Sequence, residues 1–291
     1  MKQGFHQLNG QRFFVRTWGD PSKPPLLLLH GFPEYSGAWE ELAPCLTERF
    51  FCVAPDQRGF GQSWSPVGDE HYAAAQLVGD MNALIDLLGG QATVLGHDWG
   101  AAVAYGLSFS PKTKVDRLII ANGVHPVPFQ RSLTPGSAQA RASHYFHYLR
   151  KPGAAVDLAA DGFAKLQALF ARNMDMSWLG GARLEAYKNA WGTADQLDRM
   201  LAWYRKSQIK VPKPEETSWT LPEFPVERLR VHCPHLLIWG ENDTALLPEA
   251  TEGLEDYARD LTRVNVSGAD HWLLHQKPDE VAQIILEWSG R

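Results

Sequence analysis

The chain has 291 residues, of which 44% are hydrophobic and 21% are charged, so it is neither a disordered nor a fibrous protein. Its formal net charge is −5 and no run of lysine or arginine stands out, so we expect no nucleic-acid or membrane partner. The 3 cysteines are too few for a disulfide framework and lack metal-ligand spacing. Buried free thiols in a reducing compartment fit best. Residues 1–14 lack the apolar core of a signal peptide, so we expect a cytoplasmic protein.

In the first part of the chain, short apolar runs alternate with helical patterns. The runs predicted as strands are 12–18, 26–29, 51–54, 93–95 and 118–121. A helical stripe before the fourth of these strands consists of Leu77, Met81, Leu84, Ile85 and Leu88. Strands that alternate with helices predict a mostly parallel sheet covered on both faces, which is an α/β fold.

The pattern changes at about residue 124. From there to about residue 233 the apolar spacing is helical, and no convincing strand is found. Strand signals return at 236–239 and 261–266, and a last helix follows Pro278. We therefore predict an α/β core made of residues 1–123 and 234–291, with residues 124–233 inserted as a helical cap. An insertion at the carboxyl edge of a sheet is well placed to cover a site.

A strand–turn–helix motif contains the first candidate catalytic residue. The predicted strand 93–95 leads into Gly96-His97-Asp98-Trp99-Gly100, and a helical pattern follows. This is the nucleophile elbow G-x-S-x-G, with Asp98 at the position that usually holds serine. The two glycines allow a sharp turn that projects the Asp98 side chain above the sheet. The structural alternative is that Asp98 only caps the helix.

A second loop supplies candidate oxyanion donors. His30-Gly31-Phe32-Pro33 follows an apolar strand, where a backbone N–H can point at a developing oxyanion. The partner N–H comes from the residue after the nucleophile. We therefore expect the amides of Phe32 and Trp99 to form an oxyanion hole, and an ordinary strand-end turn is the alternative.

The remaining members of a candidate triad follow two later strands. Asp243 lies just past the strand at 236–239, and His271 lies just past the strand at 261–266. The order nucleophile, acid, histidine is that of the α/β-hydrolase fold, and one crevice at the sheet edge can collect all three. A solvated surface histidine is the alternative for His271. This chemistry requires no cofactor and no metal.

Aspartate in place of serine changes the reaction. A carboxylate, with a free pKa of about 3.9, is already an anion at neutral pH. It can displace a leaving group from saturated carbon and form an ester. His271 would then activate the water that attacks the ester carbonyl, and Asp243 would orient the imidazole. Carbon–halogen bonds and epoxides are the two substrate classes that fit.

The two classes differ in the leaving group. A halide leaves without a proton, whereas an epoxide oxygen leaves as an alkoxide and needs an acid, for which a phenol with a pKa of about 10 is suited. The helical block supplies several tyrosines, namely Tyr145, Tyr148, Tyr187 and Tyr204. Tyr204 shares a helical stripe with Leu197, Met200 and Leu201, so its spacing alone favours a place in the core.

Several motifs together resemble the α/β-hydrolase-fold epoxide hydrolases over nearly the whole chain. The motifs are His30-Gly31-Phe32-Pro33-Glu34, Asp56-Gln57-Arg58-Gly59-Phe60-Gly61-Gln62-Ser63, Gly96-His97-Asp98-Trp99-Gly100-Ala101 and His271-Trp272. The resemblance implies that a small apolar epoxide and water give a vicinal diol. It also implies that the acid pair is Tyr145, which precedes Pro152-Gly153 by several residues, and Tyr204, which lies in Trp203-Tyr204-Arg205.

The chain also departs from known patterns. Asp270 precedes the histidine where this family usually has glycine, and we expect its side chain to point elsewhere while influencing the pKa of His271. The first alternative is a haloalkane dehalogenase. Phe32 stands where many of those enzymes carry asparagine for the halide, although the Trp99 side chain can also donate to halide. A non-catalytic relative is a third hypothesis, but such relatives typically lack a triad member. Without serine in the elbow, a lipase or esterase is disfavoured.

Overall fold

The computed structural model describes residues 1–290, and one eight-stranded sheet forms its centre. The strands are β1 (Lys2–Leu8), β2 (Gln11–Trp18), β3 (Pro25–Leu29), β4 (Phe51–Pro55), β5 (Ala92–His97), β6 (Val115–Ala121), β7 (His235–Gly240) and β8 (Leu261–Val266). Their order in the sheet is β1-β2-β4-β3-β5-β6-β7-β8. β1 and β2 pair antiparallel, as do β2 and β4, and all other neighbours are parallel. The predicted α/β class is therefore confirmed.

Helices cover both faces of the sheet. They are α1 (Leu42–Leu46), α2 (Ala74–Leu87), α3 (Trp99–Ser108), α4 (Pro126–Ser132), α5 (Ala138–Ala142), α6 (Tyr145–Leu149), α7 (Ala154–Ala171), α8 (Gly181–Trp191), α9 (Ala194–Lys206), α10 (Leu273–Gln276) and α11 (Pro278–Ser289). Side chains alternate along each strand, so the core has two halves. Leu27 and Leu29 of β3 pack with α2 and α3, whereas Leu26 and Leu28 pack with α1 and α11.

Each predicted strand is present, but β1 escapes prediction. Its side chains are mostly exposed and only Leu8 is buried, because β1 is an edge strand that pairs with β2 alone. Such a strand lacks the apolar signal that marks the others. The predicted helices around Leu77–Leu88, around Tyr204 and after Pro278 correspond to α2, α9 and α11.

The segment between β6 and β7 is helical. In the described chain it holds α4 to α9 and no strand, apart from an isolated bridge between Val231 and Ala258. Helix α7 is interrupted by non-helical backbone from Ala160 to Phe163. We call residues 124–233 the helical segment. Their role as a separate cap stays a prediction.

Two expectations from composition concern membranes and cysteines. Within residues 1–290, no helix has the length and apolar character needed to cross a membrane. All three cysteines are free, but only Cys52 is buried, so the expectation of buried thiols is wrong for the half-buried Cys45 and Cys233. The cytoplasmic location stays a prediction.

Candidate active site

Asp98 lies in a sharp turn between β5 and α3. Its backbone has φ 49° and ψ −120°, a strained conformation that costs on the order of 1–3 kcal/mol. A Cβ on Gly96 would lie 2.6 Å from the carbonyl oxygen of Gly100, and one on Gly100 would collide with the end of β3. Both glycines are therefore required sterically. The Asp98 side chain makes no capping hydrogen bond to α3, so the capping alternative is wrong.

One of the two predicted oxyanion donors contacts the Asp98 carboxylate directly. The Phe32 N–H donates to Asp98 Oδ1 at 2.7 Å, and the neighbouring Trp99 amide favours the charged form of the same carboxylate. Gly31 makes the approach possible, because a Cβ there would collide with the Asp98 side chain. Burial raises the pKa of Asp98, while His271, His97 and the two amides oppose that rise.

The histidine lies between two carboxylates. His271 Nδ1 donates to Asp243 Oδ2 at 2.7 Å, and His271 Nε2 lies 3.7 Å from Asp98 Oδ2. Burial disfavours the imidazolium, but Asp243, Asp98 and Glu34 outweigh it and raise the pKa of His271 to about 9. The two neighbouring carboxylates therefore favour the protonated form of His271.

Asp243 is held by partners that the sequence analysis missed in part. Its Oδ1 accepts from the amides of Ala245 and Leu246 at 2.8 and 2.9 Å. Its Oδ2 accepts from Asn122 Nδ2 at 2.7 Å. These bonds and the charge of His271 lower the pKa of Asp243 although burial opposes them. Asn122 directly follows β6, and this position at a strand end is the signal that could have found it.

Tyr145 and Tyr204 line the same cavity as Asp98 and His271. Tyr145 comes from α6 and Tyr204 from α9, and their ring centroids are 6.1 Å apart. The Tyr204 ring packs edge-on against Phe32 at 5.3 Å and Trp99 at 4.9 Å. Burial raises the pKa of both phenols, and the charge of Asp98 adds to that rise. Both hydroxyls therefore keep their protons at neutral pH.

The other two tyrosines of the helical segment use their hydroxyls elsewhere. Tyr148 donates to Asp157 Oδ2 at 2.6 Å, and Tyr187 donates to Glu34 Oε1 at 3.0 Å. Much of the remaining lining of the cavity is apolar and includes Leu149, Leu166, Leu169, Phe170 and Met174. Phe170 in turn stacks on Trp272, with ring centroids 4.2 Å apart.

A buried ionic cluster behind His271 was missed by the sequence analysis. Glu34 accepts from His97 Nδ1 at 3.1 Å and from His275 Nε2 at 2.8 Å, in addition to Tyr187. His97 Nε2 donates to the backbone carbonyl of His271 at 2.8 Å. Burial raises the pKa of the Glu34 carboxyl. The hydrogen bonds and charges of His275 and His97 outweigh this effect and hold that pKa well below its usual value. The cluster therefore links the loop that carries Phe32 and Glu34 to the loop that carries His271.

Asp270 points away from His271, as predicted. Its Oδ1 accepts from the Trp272 amide at 2.9 Å, and its Oδ2 accepts from the Asp175 amide at 2.8 Å. The hydrogen bond from the Asp175 amide ties the loop that carries His271 to the helical segment. The carboxylates that chiefly raise the pKa of His271 are those of Asp243, Asp98 and Glu34, so the expected influence of Asp270 is not among the main causes.

The acidic and imidazole side chains of the described residues do not form a metal site. Residues 1–290 contain no cluster of three or more His, Cys, Asp or Glu side chains arranged to hold a metal ion. The carboxylates and imidazoles of the site are instead occupied with one another and with backbone amides. The site thus comprises the Asp98 carboxylate, a histidine–aspartate pair beside it, and two phenols that line the same cavity.

Known proteins share this architecture. The family model described as alpha/beta hydrolase fold matches residues 24–278. AB hydrolase superfamily protein YfhM of Bacillus subtilis (strain 168) is 30% identical over 292 residues, which cover 99% of this chain and 98% of that protein. Epoxide hydrolase 4 of Homo sapiens is 28% identical over 285 residues, which cover 95% of this chain and 75% of that protein.

Solved structures agree with the sequence matches. One, described as novel epoxide hydrolases of the alpha/beta hydrolases superfamily in metagenomes from hot environments, has a TM-score of 0.87 and 34% identity. The alignment covers 98% of this chain and 97% of that one. The resemblance inferred from the motifs is thus confirmed, and the chain belongs to the α/β-hydrolase fold family, where it resembles the epoxide hydrolases.

Proposed function

We propose that the protein is an epoxide hydrolase that converts a small apolar epoxide and water into a vicinal diol. The observation that carries this proposal is that Asp98, His271, Tyr145 and Tyr204 line one cavity. The cavity thus offers a carboxylate nucleophile and two phenolic proton donors to the same ligand. The relatives and solved structures named as epoxide hydrolases support the substrate class.

The first step forms an ester on Asp98. Oδ1 accepts the Phe32 N–H, so Oδ2 is the oxygen that attacks a carbon of the epoxide. The C–O bond to that carbon breaks, and its electron pair goes to the ring oxygen. That oxygen takes a proton from a phenol of the Tyr145–Tyr204 pair, which leaves a tyrosinate.

Esterification prepares the second step. It removes the negative charge of Asp98, which is one of the charges that raise the pKa of His271. The pKa of His271 therefore falls, and its proton returns the tyrosinate to a phenol. Neutral His271, oriented by Asp243, is now a base.

The second step hydrolyses the ester. His271 Nε2 takes a proton from water, and the hydroxide adds to Cγ of Asp98. Oδ1 becomes the oxyanion, which the amides of Phe32 and Trp99 would stabilise, and the Phe32 N–H already donates to this oxygen. The bond from Cγ to the alkyl oxygen breaks as His271 returns its proton to that oxygen, and the diol leaves. The carboxylic acid left on Asp98 gives its proton to His271, so the site returns to its starting charges.

The helical segment acts as a cap in this proposal. It supplies Tyr145, Tyr204 and the apolar wall, whereas the sheet supplies Asp98 and His271. A substrate is therefore held between an apolar surface and a charged one. This division suits an epoxide whose carbon substituent is apolar, because only the strained ring needs polar contacts.

A substrate panel tests the proposal against its alternatives. Styrene oxide and alkyl epoxides are compared with 1-haloalkanes and fluoroacetate, and both diol and free halide are measured. We expect diol from the epoxides, no halide release, and no product from Asp98→Ala. Halide release without diol would identify a dehalogenase that uses the same Asp98 ester. No product from any compound would favour the non-catalytic relative.

A further inference from the structure

Arg172 lines the cavity together with the proposed catalytic groups. It ends α7 with φ 36° and ψ 45°, a left-handed conformation that is uncommon for arginine. Its guanidinium carbon lies 4.6 Å from the centroid of the Tyr145 ring. Unlike Arg58, which pairs with Asp80, Arg172 forms no ion pair with a carboxylate in residues 1–290. Its charge is therefore directed at the aromatic ring.

Arg172 is fixed at both ends. Its backbone carbonyl accepts from Thr244 Oγ1 at 2.8 Å, next to Asp243. Its Nη2 donates to the carbonyl of Ala142 at 2.9 Å, just before α6. Its Nη1 is buried and has no hydrogen-bond acceptor within the described chain. The guanidinium is therefore held beside Tyr145 instead of moving freely at the surface.

We propose that Arg172 is a positioning residue that promotes ring opening by stabilising the negative charge that Tyr145 acquires when it gives up its proton. This inference rests on the proposed function. During esterification the negative charge leaves Asp98, and it appears on the phenol that protonates the ring oxygen. A cation beside the ring favours that product, since a phenolate ring attracts a cation more strongly than a phenol does.

The surrounding charges support this role. Burial and the charge of Asp98 raise the pKa of Tyr145, and Asp243 adds to this, whereas Arg172 lowers it. Once Asp98 is esterified, the opposition from its charge disappears and the effect of Arg172 persists. Among residues 1–290 no guanidinium lies over the Tyr204 ring. Tyr145 is therefore the proton donor of the pair, and Tyr204 holds the epoxide oxygen by a hydrogen bond.

Two substitutions test the charge of Arg172. Arg172→Met removes both the cation and the donor to Ala142, whereas Arg172→Lys keeps a cation on a long side chain. Rapid-quench mass spectrometry follows formation and decay of the Asp98 ester in a single turnover. We expect Arg172→Met to slow ester formation roughly 3- to 30-fold, the range for a desolvated cation–π contact. Ester hydrolysis should be unchanged, and Arg172→Lys should recover most of the rate.

The same substitution in a Tyr145→Phe background tests whether Arg172 acts through the hydroxyl. With the hydroxyl removed, Arg172→Met should cause no further slowing of ester formation. Equal slowing in both backgrounds, or equal losses in ester formation and hydrolysis, would overturn this role and leave the proposed function intact. A parent protein that forms no diol from any epoxide would overturn the proposed function and this role with it.

Discussion

His271→Ala should become alkylated on Asp98 and then stop. In the proposed mechanism Asp98 attacks as a carboxylate held by the Phe32 amide, and this step transfers no proton to the imidazole. Hydrolysis of the ester does need the imidazole, because His271 is the proposed base for the water. Intact mass spectrometry after incubation with substrate should therefore show one added epoxide mass, and digestion should map it to the peptide that contains Asp98. Turnover should fall to the background rate.

Two controls give this result its meaning. His6→Ala removes an imidazole from the exposed edge strand β1 and should retain parent turnover without a stable adduct. Asp98→Ala should give neither adduct nor diol. An unmodified His271→Ala protein, beside an active parent enzyme, would contradict the two-step scheme.

The Tyr145→Phe, Tyr204→Phe double variant should nearly abolish ring opening. Each substitution removes only a hydroxyl, so the cavity keeps its shape and its apolar wall. Positioned acid catalysis contributes roughly 10²- to 10⁴-fold, and both hydroxyls serve it, one by giving the proton and the other by a hydrogen bond to the ring oxygen. Each single variant should slow formation of the Asp98 ester, while ester hydrolysis, which depends on His271, should be largely intact. In a single turnover the ester should form slowly and not accumulate.

Tyr148→Phe is the matched control for the tyrosine variants. Tyr148 lies in the same helix as Tyr145, but its hydroxyl donates to Asp157. This variant should open epoxides at the parent rate. If the double variant also did so, Tyr145 and Tyr204 would have only a packing role in the helical segment.

The features that sequence predicted well are local. The elbow is recognisable because Gly96 and Gly100 are needed for steric reasons within a few residues of Asp98. The buried parallel strand β7 is an almost continuous apolar run, so its end could be located, and Asp243 lies just past it. The edge strand β8, which precedes His271, is only partly buried but keeps enough apolar residues to be recognised. Exposed β1 lacked that signal.

The features that sequence did not predict depend on contacts between distant segments. The cluster around Glu34 joins His97 and His275, which are far apart in the chain and have no common spacing. Arg172 belongs to no motif, and its position over Tyr145 depends on how α7 ends. Helix α6 has only five residues, too few for periodicity to separate Tyr145 from Tyr148. There the motif resemblance was more informative than the pattern.

In the proposed mechanism, water attacks the carbonyl carbon of an Asp98 ester and never the epoxide itself. A single turnover with excess enzyme in ¹⁸O-labelled water distinguishes these two targets. The first diol should contain no ¹⁸O, and the peptide containing Asp98 should gain one labelled oxygen. A diol that carries ¹⁸O in that first turnover, with an unlabelled Asp98 peptide, would contradict this mechanism.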